Sequence, residues 1–276
     1  MHPLGHRSIF LFSVALGFGT SAALAQTAPP LGVARQFGVL AGAGVTGSTG
    51  LGTTVNGDVG SSPTPSVANF PPSTSLAPFT VHLANDAVVQ QAHTDAITAY
   101  NNLFAQGTGP GVTALGAQMN GLNLTPGVYR FAAAADLAST GTITLTDPTG
   151  TGVYVFSVGT ALTINVGAHF LGNANPCNVY WQVGSDATLN GNNFFGSVIA
   201  NQSVTVASAT NLIGRAVGLN GAVTMPGAGG NSIGSCSVAV TIPPSAAVPA
   251  LDGAALVMLL VLLATVGAFA VNRSTT

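Results

Sequence analysis

Between Asn178 and Met225 the chain repeats one short phrase, a threonine between apolar residues, at Thr188 (ATL), Thr205 (VTV) and Thr224 (VTM), 17 and then 19 residues apart. A unit that short cannot bury a hydrophobic face alone, so successive units must stack and share one core. The pattern predicts a mainly β fold, a β-solenoid with coils of unequal length. Two runs, VYVFSVGTALTINVGAHFLGN and VYWQVGSDATLNGNNFFGS, align at an offset of 25, pairing Val158-Gly159 with Val183-Gly184, Thr163 with Thr188, Asn165 with Asn190 and Phe170 with Phe195. Upstream, LTPGVYRF and ASTGTITLTDPTG alternate apolar and polar positions next to turn residues, as strands do.

The N-terminal half divides into three patterns. Phe37 to Gly60 is glycine-rich and β-branched and reads as the first coil, with Gly50, Gly52, Gly57 and Gly60 at corners or bends. The proline-rich run 61–75 excludes a central strand and reads as a loop. From Val81 to Gln106 there is neither Gly nor Pro, and Ala84, Val88, Ala92, Ile97, Tyr100, Leu103 and Phe104 approximate a helical stripe ending at Gly107. This predicts one long α-helix, about 81–106, whose small-residue face packs along the side of the solenoid.

The two ends read differently. His6 and Arg7, an apolar run from Ile9 to Gly19 and the Ala23-Leu24-Ala25 cleavage pattern make 1–25 a signal peptide, so the domain 26–242 is expected to be exported. Export puts Cys177 and Cys236 in an oxidising compartment, where a disulfide between them is expected. Beyond Cys236, 243–276 reads as a linker followed by an uncharged stretch, about 254–271, of minimal membrane-spanning length. Its arrangement, VPALDG, apolar stretch, basic end, resembles the C-terminal sorting signals of Gram-negative surface proteins. Attachment to a membrane or cell surface through it, or release after processing, is the expectation.

Charge narrows the chemistry. Only 4% of residues are charged: five Arg, seven Asp, no Lys and no Glu. A polybasic nucleic-acid surface is excluded, and without Lys the glycine-rich first coil cannot complete a phosphate-binding loop. Neither C-x-x-C nor H-E-x-x-H occurs. His82, Asp86, His93 and Asp95 suggest a metal set, but His93 and Asp95 do not share a helix face, and the four read as a solvated polar face. A polysaccharide lyase needs clustered acids and a base, and the late coils offer only Asp147, Asp186 and Arg215. The chain is therefore read as a non-enzyme without metal or cofactor.

Several phrases in order, FGVLAGAGVT, TTVNGDVGSSP, NFPPSTS, LTPGVYRF, CNVYWQVGSDATL and GRAVGLNGAVTM, together resemble the bacterial and fungal ice-binding (antifreeze) protein family over roughly residues 31 to 236. The resemblance implies an irregular, discontinuous right-handed β-helix of triangular section with one long α-helix alongside. It also implies a flat face that adsorbs to ice and inhibits growth and recrystallisation, without cofactor or catalysis. Some members carry T-[A/G]-x-[T/N] on that face. Carried over, the phrase marks Thr49, Thr53, Thr140, Thr142, Asn190, Asn192, Asn193, Ser208, Thr210 and Asn211 as ice-binding residues. The ATL, VTV and VTM threonines then become marks of register. The expected partner is an ice surface, met by a monomer. The alternative is a non-catalytic adhesin or structural solenoid that binds carbohydrate or another cell.

Overall fold

The computed structural model describes residues 26–207, 209–228, 230–234 and 236. The expected signal peptide 1–25, Ser208, the linker and the stretch 254–271 lie outside the described residues. Among the described residues no helix is long and apolar enough to cross a membrane.

Three parallel sheets form the sides of a stacked coil. Sheet A has nine strands in the spatial order Val81–His82, Asp58–Ser61, Phe37–Ala41, Ala216–Gly218, Ser197–Ala200, Val179–Val183, Tyr154–Val158, Gly127–Phe131 and Thr113–Leu115. Sheets B and C, with seven and eight strands, stack their coils in the same order. The order is not that of the chain. Val39 pairs with Ala216, Val45 with Val223 and Thr53 with Asn231, so the first coil is seated on the last.

That discontinuity requires a return path, and helix α1 (Ala87–Thr108) provides it. The chain leaves one end of the stack at Val81–His82 and re-enters at the other at Thr113–Leu115. Twenty-two helical residues span about 33 Å, and nine strands side by side span about 38 Å, so helix and stack match in length. α1 begins later than the sequence stripe predicts. Val81 and His82 pair with Val59 and Gly60 instead, and Asp86 caps the helix by accepting from the Val88 N–H at 2.8 Å. Its buried face is Val89, Ala92, Ala96, Ala99, Leu103 and Gly107, while Ile97 and Phe104 face solvent. The small residues face inward because close approach to a flat sheet favours them over large ones.

Sheet A is consequently buried on both faces, as parallel sheets usually are. One set of side chains, Val155, Tyr180, Ile199, Val217 and Leu40, meets α1. The alternating set fills the coil interior, where Phe156 stacks on Trp181 at 3.9 Å and Phe170 packs on Phe194 at 4.8 Å. The sequence offset of 25 pairs Phe170 with Phe195, whereas the structure pairs His169 with Asn193 and so aligns Phe170 with Phe194. The later corner is one residue shorter, and the interior selects the residue that points inward.

Cys177 and Cys236 are joined across 59 positions, a closure that stabilises by about 4 kcal/mol in the chain-entropy picture. Nearby, buried Arg215 donates to Ser197 Oγ (3.0 Å), the Arg35 carbonyl (2.9 Å) and the Cys236 carbonyl. Burial holds its pKa down to about 10. The guanidinium joins the entry to the first coil, one wall strand and the exit of the last coil.

His82 fastens the end of the stack formed by Val81–His82. Its Nδ1 lies 2.5 Å from Asp86 Oδ2, and its Nε2 lies 3.5 Å from Asp58 Oδ2 and 3.0 Å from Thr80 Oγ1. The Asp58 carboxylate raises the His82 pKa, burial opposes this and Asp86 adds to the rise. His82 in turn lowers the pKa of Asp86. The His82 contribution is present below its ordinary value of 6.5 and is lost as pH rises through the folded value. The Asp86 contribution is present above 3.8 and is lost as pH falls through the folded value. The clasp is therefore strongest between those ordinary values. The thermal midpoint should fall on titration from about pH 6 to about pH 8.5, and His82→Asn should flatten that dependence.

The helix contact yields a second expectation. A Cβ on Gly107 would lie 2.2 Å from Ser157 Cβ. Gly107→Ala should destabilise by about 1–3 kcal/mol in denaturant titration, outweighing the gain in helix propensity.

Candidate functional site

With sheet A covered by α1, the outer faces of sheets B and C are the regular surfaces open to solvent. On sheet B the pairings Asp136↔Thr163↔Thr188↔Thr205↔Thr224↔Thr46↔Ala68 form one continuous row. Five adjacent strands thus each present a threonine outward. Strand geometry spaces them about 4.8 Å apart, with neighbouring outward rows about 6.6 Å away along the strands. The inward alternates, Leu162, Ile164, Leu189, Val204, Val206 and Val223, are core. Beside the threonines lie small residues: Ala161, Ser203 and Ala222 on one side, Asn165, Asn190 and Ala207 on the other. Thr205 and Thr224 hydroxyls are 3.3 Å apart, so the row also bonds within itself.

Sheet C is less uniform. Its first outward row is Thr142↔His169↔Asn193↔Asn211↔Ser232↔Thr54↔Thr74, with Asn211 Nδ2 donating to Asn193 Oδ1 at 3.2 Å. Its next row includes Leu171, 48% exposed, and the half-buried Phe195 and Ile213. These large apolar side chains break the run of small polar ones, although Phe195 also packs against the core.

Corners between the two sheets explain where the sequence-derived residues fall. Gly52, Thr140, Gly167, Ala209 and Gly230 occupy equivalent corner positions and all have positive φ, from 58° to 80°. For Thr140 and Ala209 this costs about 1–2 kcal/mol each, which is why small residues predominate there. In the runs 51–54 and 208–211 the second residue makes the turn, the third points inward and the fourth faces outward on sheet C, whereas the third residue of the run 190–193, Asn192, is exposed. Thr53 and Thr210 are therefore third-position residues, each 1% exposed. Their side chains do not reach the surface. Thr142, Asn193 and Asn211 come together in the first row of sheet C, and Asn190 sits at the edge of sheet B. Thr49, Thr140 and Asn192 are exposed at the corners, and Ser208 is outside the described residues. The ten positions do not form one surface. The threonines at 46, 163, 188, 205 and 224 do, and their shared register was the available signal.

Few charges lie near these faces. Asp136, at the end of the threonine row, accepts from Gln118 Nε2 at 2.7 Å and Asn165 Nδ2 at 2.9 Å. Asp186, in the flanking row, accepts from the Ser203 N–H at 3.0 Å. Among the described residues no three His, Cys, Asp or Glu side chains converge to hold a metal. His93 bonds the Leu219 carbonyl and Asp95 accepts from the Val33 N–H, so part of the expected solvated helix face fastens α1 to its surroundings. A G-x-S-x-G phrase, expected to be absent, does occur at Gly230 to Gly234. Ser232 lies within a sheet C strand, three strands from His169, and so lacks the turn and base of a nucleophile elbow.

Comparison with known proteins agrees with this architecture. An ice-binding protein of Nostoc sp. (strain HG1) is 38% identical over 224 residues, covering 79% of this chain and 79% of that protein. The crystal structure of an ice binding protein from an Antarctic biological consortium matches with a TM-score of 0.69 at 35% identity, covering 83% of this chain and 96% of that one. The crystal structure of the ice-binding protein of the Antarctic ascomycete Antarctomyces psychrotrophicus matches at 0.65 and 30% identity, covering 78% and 100% of the two chains. Residues 39–229 match the Ice-binding-like family, and the chain belongs to that family.

Proposed function

We propose that this protein adsorbs to ice through the outer face of sheet B and so slows ice growth and recrystallisation. The observation that carries the reading is the in-register row Thr46, Thr224, Thr205, Thr188 and Thr163. A hydroxyl both donates and accepts, so it fits a lattice water in either orientation. The threonine methyl groups leave an apolar surface between hydroxyls at a fixed spacing. Each hydrogen bond to ice replaces one to liquid water and contributes little alone. Adsorption therefore needs many such contacts on a face that loses little freedom on binding, and the buried aliphatic layer of Leu162, Ile164, Leu189, Val204, Val206 and Val223 behind the strands supplies that rigidity. Sheet C supports adsorption less well, because Leu171, Phe195 and Ile213 interrupt its small polar surface.

No cofactor and no catalytic step enter this reading. The disulfide, with the charged, apolar and small-residue pattern of 1–25, supports export and action outside the cytoplasm. The stretch 254–271 supports attachment to the cell surface, and the threonine row, complete within one chain, supports action as a monomer.

Purified protein should limit ice-grain coarsening in a recrystallisation assay at micromolar concentration. Thr205→Tyr, at the centre of the row, should lower thermal hysteresis by roughly fivefold or more with an unchanged circular dichroism spectrum. Asn193→Tyr on sheet C should have the smaller effect. The opposite order would transfer the contact to sheet C, and coarsening equal to that in buffer would remove the ice reading.

A further inference from the structure

We infer that Asp136 and Asp186 form a charged border that confines the ice contact on sheet B, one at the end of the threonine row and one along its flank. The inference rests on sheet B being the ice face, and it concerns how far that face extends. Asp136 occupies the position in register with Thr163 where a sixth threonine would stand. Asp186 precedes Thr188 by two residues, so it faces outward in the adjacent row between Ala161 and Ser203.

A carboxylate differs from a threonine hydroxyl in two ways that matter to a lattice. It only accepts hydrogen bonds, so it fits only a lattice water that points a proton toward it, whereas a hydroxyl also fits one that presents a lone pair. It is also charged. Moving it from mobile water to a fixed lattice forfeits part of a strong hydration that a neutral group never had.

Neither side chain can swing away easily. Both oxygens of Asp136 are held, one by Gln118 Nε2 and one by Asn165 Nδ2. Asp186 Oδ1 is held by the backbone of Ser203, the residue two before Thr205. Each carboxylate therefore keeps its hydration shell in the plane of the threonines. What lies inside the border is the uncharged field of the five threonines with Asn165, Asn190 and Ala207.

The border can be neutralised almost without changing shape. Asp136→Asn keeps one acceptor for Asn165, and a flip of the Gln118 amide lets it accept from the new NH2 group. Asp186→Asn keeps the acceptor for the Ser203 N–H. Thermal hysteresis and recrystallisation inhibition would be measured on the full chain and on Asp136→Asn, Asp186→Asn and the double variant, with thermal midpoints as the fold control. Each single variant should gain, and the double variant should reach roughly twice the parent hysteresis at equal concentration, at an unchanged midpoint. Hysteresis equal to or below the parent value at an unchanged midpoint overturns the border. If a variant loses stability, Asp136→Thr, which adds a sixth threonine to the row, decides the question at that end by the same gain or its absence. An inactive parent, or a parent indifferent to Thr205→Tyr, would instead refute sheet B as the ice face.

Discussion

The structure depends on the parallel hydrogen-bonded stacking of strands from successive coils. Main-chain pairing fixes the distance between neighbouring strands at about 4.8 Å whatever the side chains are. A threonine repeated at one register position therefore becomes a row with a period set by the backbone. This also explains why coil length can vary, with the ATL, VTV and VTM phrases 17 and 19 residues apart. Extra residues are absorbed at corners, and the wall strands remain aligned as Thr188, Thr205 and Thr224 do.

Stacking out of chain order needs a return path and leaves one wall to be covered, and α1 answers both. It returns the chain from one end of the solenoid to the other and covers sheet A with alanines that allow close approach. The exit of the last coil is held by the disulfide and by Arg215, while the terminal coil is held by His82 between Asp58 and Asp86. These attachments lie outside the outer face of sheet B, whose rigidity comes from the strands themselves and from the buried leucine, isoleucine and valine side chains beneath them.

Much of this was legible from the sequence, and the remainder was hidden for physical reasons. The solenoid, the helix, the cysteine pair and the register of Thr163, Thr188, Thr205 and Thr224 follow from repetition and alternation. The seating of Val39 beside Ala216 leaves no local mark, because their contact spans most of the chain. Which polar residues reach the surface is harder to read, because a residue type carries no direction. Thr53 and Thr210 are as polar as Thr54 and Asn211, but a corner with positive φ just before them turns the third residue of the phrase inward. Using Gly52, Thr140, Gly167 and Ala209 as turn positions would have fixed the frame, since φ above zero favours glycine and small residues. The threonines in ATL, VTV and VTM serve the scaffold and the surface together, as the same alternation that sets register points them outward.

The scarcity of charge acquires a structural meaning once the charged residues near the three walls are placed. Arg215 is buried beside sheet A, Arg130 bonds Ser157 in the same wall, Asp58 and Asp86 bracket His82, and Asp95 receives the Val33 N–H on α1. These groups serve the covered wall, the helix and the end of the stack, where their polar partners are other parts of the protein. Asp136 and Asp186 are the carboxylates left beside the threonines, and both lie at margins of that field. A surface so poor in charge gives up the charge repulsion that ordinarily keeps proteins apart in solution. Here hydration falls to hydroxyls and amides, each weaker than a charge but evenly distributed. The adsorption proposed above uses that same even arrangement of threonine, serine and asparagine, which also keeps the face wetted in the liquid.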